Sequence, residues 1–514
     1  MQSPLQLRCI QARKTKSVSA RPILKSTYHS YAGAAFLEFK NPLIFRHPLR
    51  TLEIPLPEGN FIRLMILEPG EDGDALSCTM KTMNLDNPVP YEAVSYVWGS
   101  THRDHPIKVA GQTTYITTNL DSTLRRVRSR SRPRTLWVDS VCINQDDLPE
   151  RGSQVLQMGK VYGKAKKVLM YLGEDGNSHG EAVKSLVSEI EDMVLEGIRG
   201  AGESWNSFPT LNSDDRERFL ADTRWNSLIV MTHQPWFTRG WVIQESSLAA
   251  DGLMLWGSSE IPWRAFLRTY TWMIRRLPHV RVKYGDGNHG MNRLHLELYR
   301  MHSQTETMPL YTKQASEFDF LIIPHDARAL SVKDQRDRVH AFLSVASAAG
   351  LELRIWPDYS DGKKPQDVYL DMAREYINIT GNVNILHCVQ HTDDSLCDGF
   401  PSWVPRWDLN LFDNIITHTS APTLIPADVR PSVSGSNVLN VKGVIFDEVI
   451  FTSEPLSRDV SIYDLKRIWD RVSDAHITSA YKSTYKALAF SQILSVGRSW
   501  GAEWPEWTIR STKG

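Results

Sequence analysis

The chain has 514 residues, and its 59 Lys plus Arg residues balance its 59 Asp plus Glu residues. This balance gives no overall field that would favour nucleic acid or a membrane surface as a partner. No apolar run approaches the roughly 18 residues of a transmembrane helix, so no membrane-spanning segment is expected. The five cysteines are scattered and odd in number, which argues against a disulfide framework and favours a reducing, cytoplasmic setting.

The first 50 residues are predicted to be a basic, disordered leader. Residues 1–37 contain arginines and lysines but no acidic residue. The first acidic residue of the chain is Glu38. Such a segment resembles a mitochondrial transit signal, which is the alternative interpretation. The apolar residues of this segment form no helical face, and this favours the disordered leader.

The next elements are short strands followed by a helix. Phe61–Leu67 alternates as a strand, residues 91–99 form an aromatic strand, and residues 107–116 fit a hairpin around Gly111 and Gln112. A helix is predicted from Asn119, a good N-cap residue. Its arginine-rich end suits a helix C-terminus, where the dipole favours cations, although it could instead grip phosphate or RNA.

Residues 136–173 are predicted to form a strand, a helix and a second strand. The first strand ends on Asp139, Asp147 and Glu150 have the spacing of a capping box, and Val168–Leu172 is apolar and closed by Gly173. Two strands joined by a crossover helix make a parallel βαβ unit.

Alternation of strands and helices continues to about residue 262. A helix near residues 183–194, a strand at Leu253–Trp256 and a helical stripe from Trp263 follow the βαβ unit. We therefore predict an α/β domain at 51–262 with a parallel sheet flanked by helices. A helical region is expected at 263–350 and a mixed α+β region at 351–514.

Two motif matches and one candidate nucleophile give only weak signals. The sequence GDGNHG at 285–290 matches a dinucleotide-binding motif but follows no buried strand, so a loop is expected. His387, Cys388, His391 and Cys397 have uneven spacing, and no metal site is predicted there.

Cys142 is a conceivable nucleophile, with His233 as its base, which would make the chain a cysteine hydrolase. Its apolar neighbours favour a core cysteine instead.

The stronger constellation combines carboxylates, amides and indoles that could bind a base joined to a sugar. Its members are Asp139, Asn144, Gln145, Glu245, Trp98 and Trp241. Asp139 follows a strand, and open α/β sheets bind ligands outside the carboxyl ends of their strands. An indole would stack on the base, and a carboxylate would accept the ribose hydroxyls. In the alternative interpretation the tryptophans lie in the core and Glu245 pairs with an arginine such as Arg239.

Three blocks resemble the fungal heterokaryon incompatibility (HET) domain: YEAVSYVWG at 91–99, LWVDSVCINQDDLPERGSQVLQMGKVYGKAKKVLMYLG at 136–173 and RGWVIQE at 239–245. The segments KDQRDRVHAFLSV, PDYS and PSWVPRWD resemble sequences that commonly follow such domains. His340 and Phe342 depart from the usual tyrosine and leucine, and Arg406 stands where an acid is usual.

The resemblance implies non-self recognition and programmed cell-death signalling in fungi, with a fold similar to the Toll/interleukin-receptor (TIR) domain. Some TIR domains hydrolyse NAD+ through a glutamate that follows a tryptophan, and Glu245 after Trp241 would match. By that analogy Glu245 and Asp139 would be catalytic, while Trp98, Trp241, Asn144 and Gln145 would bind NAD+ as substrate without a metal or cofactor. The alternative is a non-catalytic module that signals by self-association or by binding another incompatibility protein.

Overall fold

The computed structural model describes residues 54–200, 213–285, 287–288, 317–410, 430–435, 437–442 and 461–474. The basic leader and the transit-signal alternative lie outside these residues, as does most of the 285–290 loop. The chain divides into two compact units, one of residues 1–311, 340–345 and 356–363, the other of residues 312–339, 346–355 and 364–514. The domain boundaries predicted from the sequence stay predictions.

A large mixed sheet forms the centre of the first unit. Its strand order is β5-β4-β2-β1-β6-β3-β7-β8-β9. The strands are β1 Phe61–Leu67, β2 Leu76–Asn84, β3 Glu92–Ser95, β4 Arg103–Val109, β5 Gln112–Thr117, β6 Arg134–Trp137, β7 Lys167–Gly173, β8 Gly252–Trp256 and β9 Ser259–Pro262.

The parallel sheet expected from the sequence is confirmed only in part, because the sheet is mixed. The neighbours β6, β3, β7 and β8 are parallel, as are β2 and β4. In contrast, β1 runs antiparallel to both β2 and β6, and the pairs β4–β5 and β8–β9 are also antiparallel. The two outer pairs are hairpins, which short connections allow only between antiparallel strands.

The helices of the first unit alternate with the strands and give the α/β architecture. They are α1 Thr118–Val127, α2 Asp139–Cys142, α3 Leu148–Lys164, α4 His179–Gly200, α5 Ser213–Ala221, α6 Arg224–Thr232, α7 Val242–Ser247, α8 Trp263–Arg276 and α9 Pro278–Tyr284. The predicted βαβ unit is confirmed, because β6 and β7 lie on either side of β3 and both run parallel to it. In the described part of the chain, no helix has the length and apolar character needed to cross a membrane.

Two local predictions needed correction. Helix α1 is capped by Thr117, whose hydroxyl accepts from the Leu120 backbone N–H at 3.3 Å, while Asn119 donates to the Val97 carbonyl at 3.1 Å. Asn119 thus ties down the loop after β3. In α3 only half of the capping box forms: Asp147 accepts from the Glu150 N–H at 3.0 Å, but the Glu150 carboxylate turns to Arg63 instead.

Two later segments complete the first unit by packing on α3. A Cβ atom on Gly152 would come within 2.2 Å of the Pro357 carbonyl oxygen, and one on Gly159 within 2.1 Å of the Ser344 Cβ. The helix therefore needs glycine where these segments cross it. The guanidinium of Arg151 lies 3.6 Å from the centre of the Tyr359 ring, which adds a cation–π contact.

The second unit is mainly helical. Its elements, some of which begin or end in the first unit, are α10 Glu317–Asp326, α11 Asp337–His340, α12 Leu343–Ala348, α13 Pro365–Thr380, α14 Asp393–Cys397, α15 Ile462–Asp474 and the strand pair β10 Ser432–Val433 and β11 Leu439–Asn440. Arg406 forms ion pairs with Asp398 at 3.0 Å and Asp408 at 2.9 Å, so this arginine is held by acids of its own unit.

Candidate functional site

The parallel strands β3 and β6 end at the same edge of the sheet and bring two polar residues there. Ser95 is the last residue of β3, and Asp139 comes two residues after the end of β6. Both residues are buried. Crevices outside the carboxyl ends of parallel strands are where open α/β sheets bind ligands.

Glu245 reaches this edge from the short helix α7, and its carboxylate is held by two side chains, Arg239 and Ser95. Arg239 donates to both oxygens, at 3.1 Å from Nη1 to Oε2 and 3.0 Å from Nη2 to Oε1. The Ser95 hydroxyl donates to Oε2, and the Trp236 Nε1–H in turn donates to Ser95 at 2.7 Å. Glu245 is only 1% exposed, so this network fixes it inside the domain.

Asp139 is the second carboxylate of the cluster. One of its oxygens accepts from Trp98 Nε1 at 2.9 Å, and the other accepts from the Ser140 backbone N–H at 2.7 Å. Burial, together with the nearby charge of Glu245, raises the Asp139 pKa from 3.8 to about 6, although Arg239 and these hydrogen bonds oppose the rise. Trp98 is 37% exposed and therefore stands at the rim of the site.

Arg239 is hydrogen-bonded to Glu245 and acts on Asp139 through its charge. Burial tends to lower its pKa, but the negative charges of Glu245 and Asp139 outweigh burial and raise the pKa overall. The two predicted catalytic carboxylates thus lie in one electrostatic cluster with a single guanidinium, which leaves an excess negative charge. The pairing of Glu245 with Arg239, the alternative interpretation of the sequence, is present.

Two tyrosines border this cluster. The Tyr96 hydroxyl lies 2.6 Å from the Ser140 Oγ. Tyr162, on α3, is fully buried against Trp137, and its hydroxyl has no hydrogen-bond partner among the described residues. Burial raises the pKa of Tyr162, and the charges of Glu245 and Asp139 raise it further, so its hydroxyl is neutral and close to both carboxylates.

The remaining predicted ligand-binding residues lie around the cluster. The Gln145 side chain donates to the Asp139 carbonyl oxygen at 3.1 Å, which holds the loop after β6. Asn144 is exposed, and its side-chain oxygen accepts from the Asp146 N–H at 3.3 Å. Trp241 is partly exposed and occupies the N-cap position of α7. The amides therefore shape the loop, and their role in binding stays a prediction.

The cysteine-hydrolase alternative is wrong. Cys142 has no exposed surface, and burial raises the pKa of its thiol to about 12. Its sulfur accepts a hydrogen bond from the Val138 N–H at 3.4 Å instead of facing a base. A buried, protonated thiol is no nucleophile, so Cys142 is a core residue.

The arginine run at the end of α1 is mainly structural. Arg126 donates to the Gly257 carbonyl at 2.7 Å, and Arg134 forms an ion pair with Glu92 at 2.6 Å. Such contacts occupy these guanidinium groups within the domain. Across the described ranges, no group of three or more His, Cys, Asp or Glu side chains is placed to hold a metal ion.

Ser95, Trp236 and Tyr162 belong to the site but were not predicted. Ser95 offered a signal, because it follows the apolar Ala93 and Val94 in β3 and a buried serine hydroxyl usually has a hydrogen-bond partner. Trp236 and Tyr162 looked like ordinary core aromatics, and their sequence positions carried no such signal.

Comparison with known proteins agrees with the sequence blocks that line this site. The family model described as Heterokaryon incompatibility protein (HET) matches residues 91–245, from the start of β3 to Glu245. A Neurospora crassa protein, heterokaryon incompatibility protein 6, OR allele, is 26% identical over 473 residues, covering 80% of this chain and 66% of that protein. The chain thus spans somewhat less than two thirds of this relative, and no solved structure matches. Residues 91–245 of this chain thus match the heterokaryon incompatibility (HET) domain family.

Proposed function

We propose that this protein acts in fungal non-self recognition and programmed cell-death signalling, from the cytoplasm. The match of residues 91–245 to the HET domain family supports this proposal, and so does the similarity to the Neurospora incompatibility protein. The partner that triggers the response would be another incompatibility protein or a second copy of this chain.

The chemical step that we propose is hydrolysis of NAD+ at the cluster of Asp139, Arg239 and Glu245, in a domain of TIR-like fold. The observation that carries it is the pair of buried carboxylates beyond the ends of β3 and β6, where Glu245 is bonded by Arg239 and Asp139 is bonded by Trp98. Breaking the bond between nicotinamide and ribose develops positive charge on the sugar, as in glycoside hydrolysis. An excess buried negative charge would stabilise that transition state, and Trp98 at the rim would stack on a planar ring.

The hydrogen bonds from Arg239 to Glu245 also constrain this chemistry. Glu245 accepts from Ser95 and twice from Arg239, so ribose hydroxyls reach it only if Arg239 turns toward another acceptor. Catalytic hydrogen bonds often differ between free and substrate-bound proteins. A ligand phosphate or carboxylate that draws Arg239 away would free the Glu245 carboxylate for the sugar.

The test uses the full-length chain, NAD+ and a nicotinamide-release assay. We expect Glu245→Gln to lower the rate by at least about a hundredfold, the size of loss seen when a charge-stabilising group is removed from an active site. Glu189→Gln is the control, because Glu189 also pairs with arginines, Arg218 and Arg224, but lies on the surface. Equal release by the wild type and Glu245→Gln would rule out the role of this residue.

A second candidate function is a non-catalytic signalling module. The low exposure of Glu245 and its three hydrogen bonds favour it, because they match a structural carboxylate. Of the aromatic residues just before α7, Trp236 and Phe237 are buried in the core, whereas Trp241 is partly exposed and could contact a partner. Cell death that survives Glu245→Gln at equal protein abundance, with no nicotinamide release by the wild type, would establish the module.

A further inference from the structure

Arg103, the first residue of β4, is half-buried and has one guanidinium nitrogen without an acceptor among the described residues. Its Nη1 atom is buried and makes no hydrogen bond, and in the described part of the chain no carboxylate lies within ion-pair distance of its guanidinium. Most other arginines of this domain have partners: Arg125 pairs with Asp121 at 2.8 Å, and Arg134 with Glu92. A buried guanidinium nitrogen without an acceptor is costly, so Arg103 calls for an explanation.

The position of Arg103 connects it to the carboxylate cluster. Arg103 pairs with Thr117, the N-cap of α1, and Asn119 of that helix donates to the Val97 carbonyl at 3.1 Å. The residue after Val97, Trp98, is the one that bonds Asp139. Trp98 lies on the same short connection between β3 and β4. The ladder between β4 and β5 is irregular between Arg103 and His105, and such irregularities re-aim side chains next to functional sites.

We propose that Arg103 is the anion subsite of this site and binds the phosphate or diphosphate of a nucleotide ligand. A guanidinium presents donors in a fork that matches phosphate oxygens, so a phosphate would supply the acceptor that Nη1 lacks. With Trp98 stacking on a ring and the carboxylates beyond it meeting ribose hydroxyls, the arrangement fits a ring, a sugar and a phosphate. This inference rests on the proposed function, because it assigns the charged part of the same ligand.

The experiment compares the wild-type full-length chain with Arg103→Gln, Arg103→Lys and the control Arg125→Gln. Arg125→Gln removes an equal charge from the same domain but breaks contacts outside the site, the pair with Asp121 and the hydrogen bond to the Asp74 carbonyl. Affinities are measured for NAD+, for nicotinamide riboside, which lacks phosphate, and for inorganic pyrophosphate. Nicotinamide release is followed separately.

We expect Arg103→Gln to weaken binding of NAD+ and pyrophosphate by about ten- to hundredfold, the value of a charged hydrogen bond. Nicotinamide riboside should bind equally well to all four proteins, Arg103→Lys should keep part of the affinity, and Arg125→Gln should match the wild type. In turnover, Arg103→Gln should raise KM for NAD+ more than it changes kcat.

The outcomes separate this inference from the proposed hydrolysis. Phosphate-dependent binding through Arg103 without nicotinamide release would support the subsite and contradict the hydrolysis. Equal affinities of wild type and Arg103→Gln for NAD+ and pyrophosphate would overturn the subsite while leaving hydrolysis intact. An equal loss for nicotinamide riboside would overturn it too, and a wild type that binds neither NAD+ nor pyrophosphate would overturn both.

Discussion

Two buried arginine–carboxylate pairs of this domain have nearly the same geometry and differ in everything around them. Arg63 holds both oxygens of Glu150, at 2.6 and 2.9 Å, as Arg239 holds both oxygens of Glu245. The remaining Arg63 donors reach the backbone carbonyls of Ile54 and Cys142. This first pair is therefore balanced in charge and satisfied by hydrogen bonds.

In the second pair, Arg239 bonds Glu245 and also interacts with the charge of another carboxylate, Asp139. Both carboxylates act on the hydroxyl of Tyr162, which has no hydrogen-bond partner among the described residues. An excess buried charge and an unsatisfied polar group both lower stability. Bidentate geometry alone thus says little about function. The imbalance around Glu245 is the feature that separates a candidate site from the structural pair at Arg63.

The largest effect expected from this comparison is at the structural pair. Glu150→Ala should lower the free energy of unfolding by about 3 kcal/mol, because it leaves the buried charge of Arg63 without a partner. Glu71→Ala is the control: Glu71 pairs with Arg130 on the surface, and its loss should cost less than about 1 kcal/mol. Urea denaturation measures both. Similar small losses in the two variants would show that the Arg63 pair is no structural element.

The next effect has the opposite sign and depends on pH. Asp139→Asn should stabilise the protein by about 1–3 kcal/mol at pH 7, because ionising Asp139 in the folded state is unfavourable. The Asp139 pKa is raised from 3.8 to about 6, so the folded state binds this proton more tightly than the unfolded chain does. The wild type therefore loses stability as the pH rises from about 4 to about 6, and the asparagine variant lacks this loss.

Urea denaturation of both proteins from pH 4 to pH 7 tests the sign. The advantage of Asp139→Asn should be absent near pH 4, grow up to about pH 6 and stay constant above it. A variant that is less stable by the same amount at every pH would show that Asp139 is an ordinary paired carboxylate, and the contrast with Glu150 would disappear.

Sequence patterns predicted the centre of the fold and the β4–β5 hairpin, but not the strand β2 or the pairing of β8 with β9. The strands β6 and β7 and the helix α3 followed from apolar periodicity and from Asp147 as a cap. The strand β2 was missed, because LSCTMKTMN mixes polar and apolar residues on both faces. Its position beside β1 depends on contacts between distant residues, which local periodicity does not encode.

The residues of the candidate site were likewise predicted only in part from the sequence. Asp139, Glu245 and Trp98 were predicted from their places after a strand, on a short helix and in a family block. Tyr162 and Arg103 were not, since what marks them is a missing hydrogen-bond partner in the folded protein. A single sequence shows that a tyrosine or an arginine is present, but whether it finds a partner is decided by tertiary packing.

The smallest expected effect on stability concerns the hydroxyl groups of Tyr91, which reaches the end of α3, and Tyr162, which belongs to that helix. The Tyr91 hydroxyl donates to the Val161 carbonyl at 2.5 Å, whereas the hydroxyl of the next residue, Tyr162, has no partner among the described residues. Tyr91→Phe should therefore lower the free energy of unfolding by about 1 kcal/mol, and Tyr162→Phe should leave it unchanged or raise it by a similar amount.

The effects of the two substitutions on cell death should rank in the reverse order. A hydroxyl kept beside two carboxylates at a cost in stability is explained if it binds a ligand there, so Tyr162→Phe should reduce cell death while Tyr91→Phe should not, at equal abundance of folded protein. Thermal unfolding and a fungal cell-death assay measure the two quantities. If Tyr162→Phe is as lethal as the wild type, the orphaned hydroxyl is a packing defect, and only the excess charge would still distinguish the Glu245 cluster from the Arg63 pair.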